Sequence, residues 1–255
     1  MNPIRVTGQP RSMSLLLQDV PAFPGATFNA GIPESIGESA RPLWFGNLQA
    51  DWNPPRDGVL TGGAEQAGAL KYTVSVTSTE DTVDLRLSLT NLSDRAWDQT
   101  IAFNCFSPIG VREVRDHECL RHWVGMQGKL VRLRSQPRKF GPRPAIQLYP
   151  VEGAPPWREI GFVRNFDCTP DGVHFEPWMA IESRDGRRTI ATVSKPGLFL
   201  FQNRAYSCIH CGPTFGPLAP GRTGHGFTRL YLVQQPLKEW YARMRRELPA
   251  VRVEP

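Results

Sequence analysis

Residues 197–235 collect more chemically useful side chains than any other stretch of the chain. An apolar run, Gly197 to Gln202, leads into Asn203, Arg204, Tyr206, Cys208, His210 and Cys211, and a Pro/Gly-rich crossover then leads to a second apolar run. If the segment is extended at roughly 3.3 Å per residue, Cys208 and His210 point the same way about 7 Å apart and Cys211 points the other way. Cys208 and Cys211 have the spacing of half a zinc knuckle, but no second Cys or His pair completes it. A redox C-x-x-C opens a helix, and Gly212-Pro213 directly afterwards argues against one. The stretch is therefore read without a metal. Cys208 is expected in the core, and His210 faces a ligand or sits as a hydrogen-bonded core residue.

Two further constellations stand out. In Asp116-His-Glu-Cys-Leu-Arg-His-Trp123, a strand would put Arg121 and Trp123 on one face, an arrangement that suits a sugar or carboxylate subsite and equally suits packing of Arg on an aromatic ring. In His174-Phe-Glu-Pro-Trp178, an extended chain aligns His174, Glu176 and Trp178 on one face. Glu176 and Glu182 lie among apolar residues, where desolvation would raise a carboxyl pKa toward general acid–base use. A structural carboxylate paired with arginine is the alternative. The reading assigns catalysis to His210, His174 and Glu176. Ligand contacts fall to Arg121, Trp123, Trp178, Asn203, Arg204 and Tyr206. No G-x-S-x-G, P-loop, G-x-G-x-x-G or H-E-x-x-H occurs, so serine hydrolase, nucleotide-binding and zincin chemistry lack support.

These side chains need a scaffold, and the composition indicates which kind. At 255 residues with 24 Pro and 23 Gly, the chain suits one large domain of many strands and tight turns. Lys occurs only at 71, 129, 139, 195 and 238, so the other 25 of the 30 cationic residues are Arg. Arg forks match carboxylates, sulfates and phosphates, which points to anionic ligands, although scattered arginine is also a compositional habit. Five cysteines, an odd number, argue against a full disulfide framework and for free thiols. The N-terminus shows no apolar signal region and no apolar run reaches 18 residues, so a cytoplasmic protein with no membrane or nucleic-acid partner is expected.

Period-2 alternation is cleanest at Leu70–Val76 and Val83–Leu89, separated by a polar turn, and continues through Ile101, Phe103 and Cys105. A hairpin is expected over 119–133 and another over 173–194 around Asp185-Gly186. Residues 1–66 are read as an irregular covering segment with short strands, anchored by Phe23, Phe28, Trp44, Phe45 and Trp52. The six prolines of 135–157 suggest a stiff loop covering something. Leu237, Trp240, Tyr241, Met244 and Leu248 share a helical face, with Pro236 at the first position, which predicts one helix over 236–248.

Val83-Asp-Leu-Arg-Leu-Ser-Leu-Thr-Asn-Leu-Ser-Asp-Arg-Ala-Trp97 through Ile101-Ala-Phe-Asn-Cys-Phe106 resembles the galactose-mutarotase-like β-sandwich superfamily, in which such a strand ends at a turn Asn and the next leads toward the sugar site. Asn104-Cys105-Phe106 stands where a mutarotase would carry its catalytic His. The resemblance implies an all-β, antiparallel two-sheet sandwich and a sugar-like ligand. The combined expectation is a single domain, 1–255, that binds or processes a small-molecule or oligosaccharide substrate, an anionic or oxidised sugar, as an isomerase- or lyase-type enzyme would, by His/carboxylate proton transfer as in epimerisation or β-elimination, without a cofactor. An accessory interaction sandwich and a Cys/His metalloprotein are the alternatives.

Overall fold

The computed structural model describes residues 2–38, 41–46 (backbone only), 48–137, 146–156, 159, 167–203 and 205–253. In chain order the strands are β1 (Arg5–Gly8), β2 (Ser14–Gln18), β3 (Phe28–Glu38), β4 (Arg41–Gly46), β5 (Asp51–Trp52), β6 (Leu60–Gln66), β7 (Leu70–Ser78), β8 (Thr82–Asn91) and β9 (Thr100–Ser107). They continue as β10 (His122–Met126), β11 (Lys129–Arg132), β12 (Ile146–Pro150), β13 (Asp167–Cys168), β14 (Trp178–Glu182), β15 (Thr189–Lys195), β16 (Gly197–Asn203), β17 (Cys208–Pro213) and β18 (Thr223–Val233). One α-helix, α1 (Leu237–Glu247), follows.

The strands form two sheets. The first runs β1-β2-β3-β9-β17-β16-β12-β13 with β4 also on β3, and the second runs β11-β10-β14-β15-β18-β8-β7-β6-β5. Among these strands only β12 and β13 pair in parallel. The architecture is the expected antiparallel two-sheet sandwich. The alternating apolar residues explain it: β7 and β8 pair Tyr72 with Leu89, Val74 with Leu87 and Val76 with Leu85, and all six are buried. They meet Leu15, Leu17, Phe28, Ala30 and Ile36 of the first sheet in a shared core. Each such side chain contributes about 1.5–3 kcal/mol when fully buried.

Three local expectations change. Residues 1–66 are not an irregular cover: β3 is an interior strand of the first sheet, paired with both β2 and β9. Its proline and glycines broke the alternation that marks other strands. Within 135–157, residues 146–150 form β12 against β16; residues 138–145 and Trp157 lie outside the described residues, as does any cover they provide. Pro236 caps α1 from an extended conformation (ψ 151°) and is not its first helical residue.

The helix docks on the outer face of the second sheet. Leu237, Trp240, Tyr241 and Met244 bury against Trp178, Ala180, Val193 and Tyr231, as their helical spacing predicted. Arg243 bonds Asp81 and Glu247, and Arg229 bonds Asp84 at 2.6 and 2.7 Å and Glu247 at 3.0 Å. These arginines fasten the helix to the sheet, so part of the arginine excess is structural. Among the described residues no helix is long and apolar enough to cross a membrane.

Candidate functional site

The outer face of the first sheet carries the chemistry. Along β17, Ile209 and Cys211 enter the shared core while Cys208 and His210 point outward. Along β9, Ala102 and Phe106 point inward and Cys105 outward. Ile209 pairs with Phe106, so antiparallel geometry puts His210 opposite Cys105 on the outer face. Gly31 of β3 pairs with Cys105, and Phe201 of β16 pairs with His210. One rung of the sheet therefore reads Gly31, Cys105, His210, Phe201.

A cleft of about 500 Å³ opens over this rung. Its lining includes Asn29, Glu34, Cys105, Asn203, Tyr206, Cys208 and His210. The volume lies within the range of small-molecule sites. Glu34 reaches it from an irregularity in β3, where the pairing with β9 shifts between Gly31 and Ser35. Bulges of this kind re-aim side chains and are frequent beside binding sites. Gly31 leaves room for Glu34, since a Cβ at that position would sit 2.8 Å from Glu34 Cγ.

His210 is 2% exposed, its ring stacked on Phe201 with centroids 3.9 Å apart. Nδ1 lies 2.9 Å from the Phe201 carbonyl, which can only accept, so Nδ1 carries the proton. Burial lowers its pKa to about 3, leaving a neutral ring with an unprotonated Nε2 at pH 7. Nε2 is 4.0 Å from Glu34 Oε2. The Glu34 side chain is half exposed, and partial burial raises its pKa against a lowering hydrogen bond from Cys105. Cys105 also bonds Cys208, which holds the Cys208 thiol below its ordinary value and, with burial, pushes the Cys105 thiol up.

The structure brings together Asn203, Tyr206 and His210 of the sequence-predicted residues. Asn203 ends β16, its Oδ1 accepting from the Ala205 amide at 3.1 Å in the β16–β17 turn. Tyr206 is 53% exposed at the rim, and with Ile109, also at the rim, it accounts for two of the three exposed large hydrophobics among the described residues. Arg204 lies outside the described residues.

The other candidates are elsewhere. Arg121 does not line the cleft: its guanidinium donates to the carbonyls of Glu113, Glu182 and Arg115 at 3.1, 2.7 and 2.7 Å and clasps a loop. Trp123 packs beneath the helix with Arg132, not Arg121, 4.6 Å over its ring. Trp178 is fully buried against Trp240. Glu176 accepts from Trp178 Nε1 at 2.8 Å, Tyr241 OH at 3.0 Å and the Gly128 amide at 2.9 Å, away from the cleft and with none of these partners an arginine. His174 is exposed on the segment before β14 and does not line the cleft. Their alignment on one extended face failed because 173–177 is not a strand. Glu34 and Cys105 were missed as site residues. The signal for Glu34 was Gly31-Ile-Pro-Glu34, a glycine and proline that break a strand beside an acid.

A second cleft of about 720 Å³ lies on the outer face of the second sheet and includes Lys71, Arg86 and His225. It is larger, but its one phenolic ring, Tyr72, is buried, and His225 Nδ1 is held by Ser88 at 3.0 Å. The cleft over His210 combines an exposed ring with converging polar groups, and that combination makes it the better candidate.

No family model matches the sequence, and no curated protein matches it. Solved structures do. An α-N-acetylgalactosaminidase from Bifidobacterium bifidum, in complex with GalNAc, is 14% identical with a TM-score of 0.51, over 96% of this chain and 39% of that one. A galactose mutarotase-like protein from Lactobacillus casei ATCC 334 is 14% identical with a TM-score of 0.47, over 91% of this chain and 98% of that one. A galactose mutarotase related enzyme from Lactobacillus acidophilus is 10% identical with a TM-score of 0.48, over 92% and 96%. The likeness is one of fold. Galactose-mutarotase-like structures are among those similar to this chain, as the resemblance over Val83–Phe106 implied.

Proposed function

We propose that the protein binds and processes a small neutral carbohydrate in the cleft over His210. The observation that carries this reading is the convergence of an exposed ring, Tyr206, with Asn29, Glu34, Asn203 and His210 in one cleft of about 500 Å³. A sugar presents an apolar face and a polar edge, and a cleft with one accessible ring and several amide and carboxylate groups matches both. Glu34 is the acid–base group within reach of a bound sugar, and the neutral His210 ring lies 4.0 Å from it. Glu34 moves the proton and Nε2 of His210 orients a substrate hydroxyl. The acidic Glu34, with no Lys or Arg among the described lining residues, favours a neutral sugar over the anionic one expected from arginine content. The fold of the GalNAc-bound relative supports a carbohydrate ligand by analogy only.

The near-complete burial of His210 favours a second reading, binding without turnover. Saturation-transfer NMR against a panel of neutral aldoses and uronic acids tests the first statement. Tyr206→Ala and Asn203→Ala should each weaken binding roughly tenfold, equivalent to about 1.4 kcal/mol. Unchanged binding in both would remove the cleft from consideration. Incubating a binding sugar with the protein in deuterated water separates the readings: deuterium entering a C–H position, or faster anomer exchange, marks processing.

A further inference from the structure

We propose that Cys105, Cys208 and His210 bind a soft divalent cation, zinc by the chemistry of the donors, with its open coordination position facing the cleft beside Glu34. The inference rests on the cleft being the functional site and adds a cation to its floor.

Three ligand atoms are already gathered. Sγ of Cys105, Sγ of Cys208 and a ring nitrogen of His210 all lie within 4.8 Å of one another, and all three residues are buried. Zinc–sulfur bonds near 2.3 Å and zinc–nitrogen bonds near 2.0 Å in a tetrahedron separate the sulfurs by roughly 3.8 Å and sulfur from nitrogen by roughly 3.5 Å. Small side-chain adjustments close that gap. The positions come from strand register: His210 stands opposite Cys105, and Cys208 is two residues along the same face of β17. Ligands on two paired interior strands hold their geometry better than ligands on loops.

The surroundings fit a metal ligand as well. His210 gives its Nδ1 proton to the Phe201 carbonyl, the second hydrogen bond that ligating histidines characteristically make, and the stack on Phe201 fixes the ring. Nε2 is left as the donor atom. Two sulfurs and an imidazole select zinc, and cobalt as its probe, over magnesium or calcium. Three protein ligands with one side open to a cleft is the pattern of a reactive site and not of a closed structural one. Glu34 Oε2, 4.0 Å from Nε2, borders that open side, where it can accept a hydrogen bond from a water or sugar hydroxyl on the cation. With Cys105, Cys208 and His210 holding it, the cation would supply Lewis-acid polarisation of a sugar oxygen, and Nε2 of His210 would then act on the substrate only through it.

Cys211, the C-x-x-C partner of Cys208, takes no part. Its Sγ lies 3.0 Å from the Pro177 carbonyl on the inner side of the sheet, and burial pushes its thiol up to about 12.

The test is a titration of the full chain, stripped of metal and reduced, with Co²⁺. One equivalent should bring in thiolate-to-cobalt charge-transfer absorption together with the intense d–d bands of tetrahedral coordination. Zn²⁺ should displace it, and competition with a chromophoric chelator reads the affinity. Cys105→Ser, Cys208→Ser and His210→Gln should each lower zinc affinity at least 100-fold, beyond the roughly 10–100-fold of outer-shell changes. Glu34→Gln should keep the thiolate bands and alter only the d–d envelope. Absence of thiolate bands in the parent overturns the proposal, and this measurement needs no variant to fold. Thiolate bands unchanged in both serine variants overturn it too. Carbohydrate binding by the metal-free parent is measured separately. Sugar binding without cobalt–thiolate bands defeats the cation alone, and the bands without any sugar binding defeat the carbohydrate reading alone.

Discussion

His210 and Phe201 lie face to face across the β16–β17 pair, ring centroids 3.9 Å apart and planes 19° from parallel, while the Phe201 carbonyl accepts the His210 Nδ1 proton at 2.9 Å. One residue thus sets both the plane and the tautomer of the imidazole that floors the cleft. Phe201→Leu keeps the carbonyl and most of the volume but removes the stack. We expect a loss of about 1 kcal/mol in urea denaturation, the scale of an aromatic pair, together with weaker binding in the cleft. Binding unaffected at that stability cost would mean that the stack serves the fold alone.

His210 itself answers to two demands. Its 2% exposure means that its replacement is felt by the fold as well as by the site. His210→Gln should lower stability by about 1–3 kcal/mol for the lost buried hydrogen bond, and the folded variant should bind neither sugar nor cobalt. A variant that melts far below the parent yet still binds sugar would make His210 a core residue only.

Glu176 should behave in the opposite way. It collects hydrogen bonds from Trp178, Tyr241 and Gly128 beneath the helix, remote from the cleft. Glu176→Ala leaves the Trp178 indole N–H without its carboxylate and should cost about 1–3 kcal/mol. Sugar binding should be unchanged, as read by the same NMR titration on the folded fraction.

The fold was legible where one side of a strand meets core and the other meets water. Leu70–Val76 and Val83–Leu89 alternate for that reason, and the turn Asn91 is a buried hub, its Nδ2 donating to Arg95 O at 2.7 Å and Leu218 O at 2.9 Å. The helix was legible because its apolar face keeps a strict period. The site was half legible. Asn203, Tyr206 and His210 sit within eight residues of one another and could be read locally, whereas Cys105 and Glu34 arrive from β9 and β3 through pairing that no local spacing records. Arg121 and Trp178 misled because arginine and tryptophan look the same in sequence whether they clasp backbone carbonyls, fill a core or hold a ligand.

Acid stability gives a prediction with a definite sign. Burial opposes ionisation of Asp116, but hydrogen bonds from His122 Nδ1 at 2.9 Å and the Arg121 amide at 2.7 Å outweigh it and hold the pKa at about 2, below the ordinary 3.8. A carboxyl depressed on folding contributes stability that is present above its unfolded pKa and is lost as pH falls through the folded one. The parent should therefore lose about 2 kcal/mol between roughly pH 4 and 2 from this group. Asp116→Asn should be less stable at pH 7 and flatter across that window in thermal melts; an identical acid profile would contradict the assignment.

Gly31 makes room for Glu34. A methyl at that position meets Glu34 Cγ at 2.8 Å, so Gly31→Ala should fold and displace a flexible side chain, not backbone. We expect binding in the cleft to fall by roughly tenfold with a change in stability under about 1 kcal/mol. Binding at the parent level would show that Glu34 is not needed where it stands.

The most direct test of the account is a crystal structure of the reduced protein soaked with the aldose that binds best. The sugar should lie in the cleft against Tyr206, with hydroxyls within hydrogen-bonding reach of Glu34 and Asn203. Density for the sugar in the opposite cleft beside Arg86 and His225, with the His210 cleft empty, would contradict it.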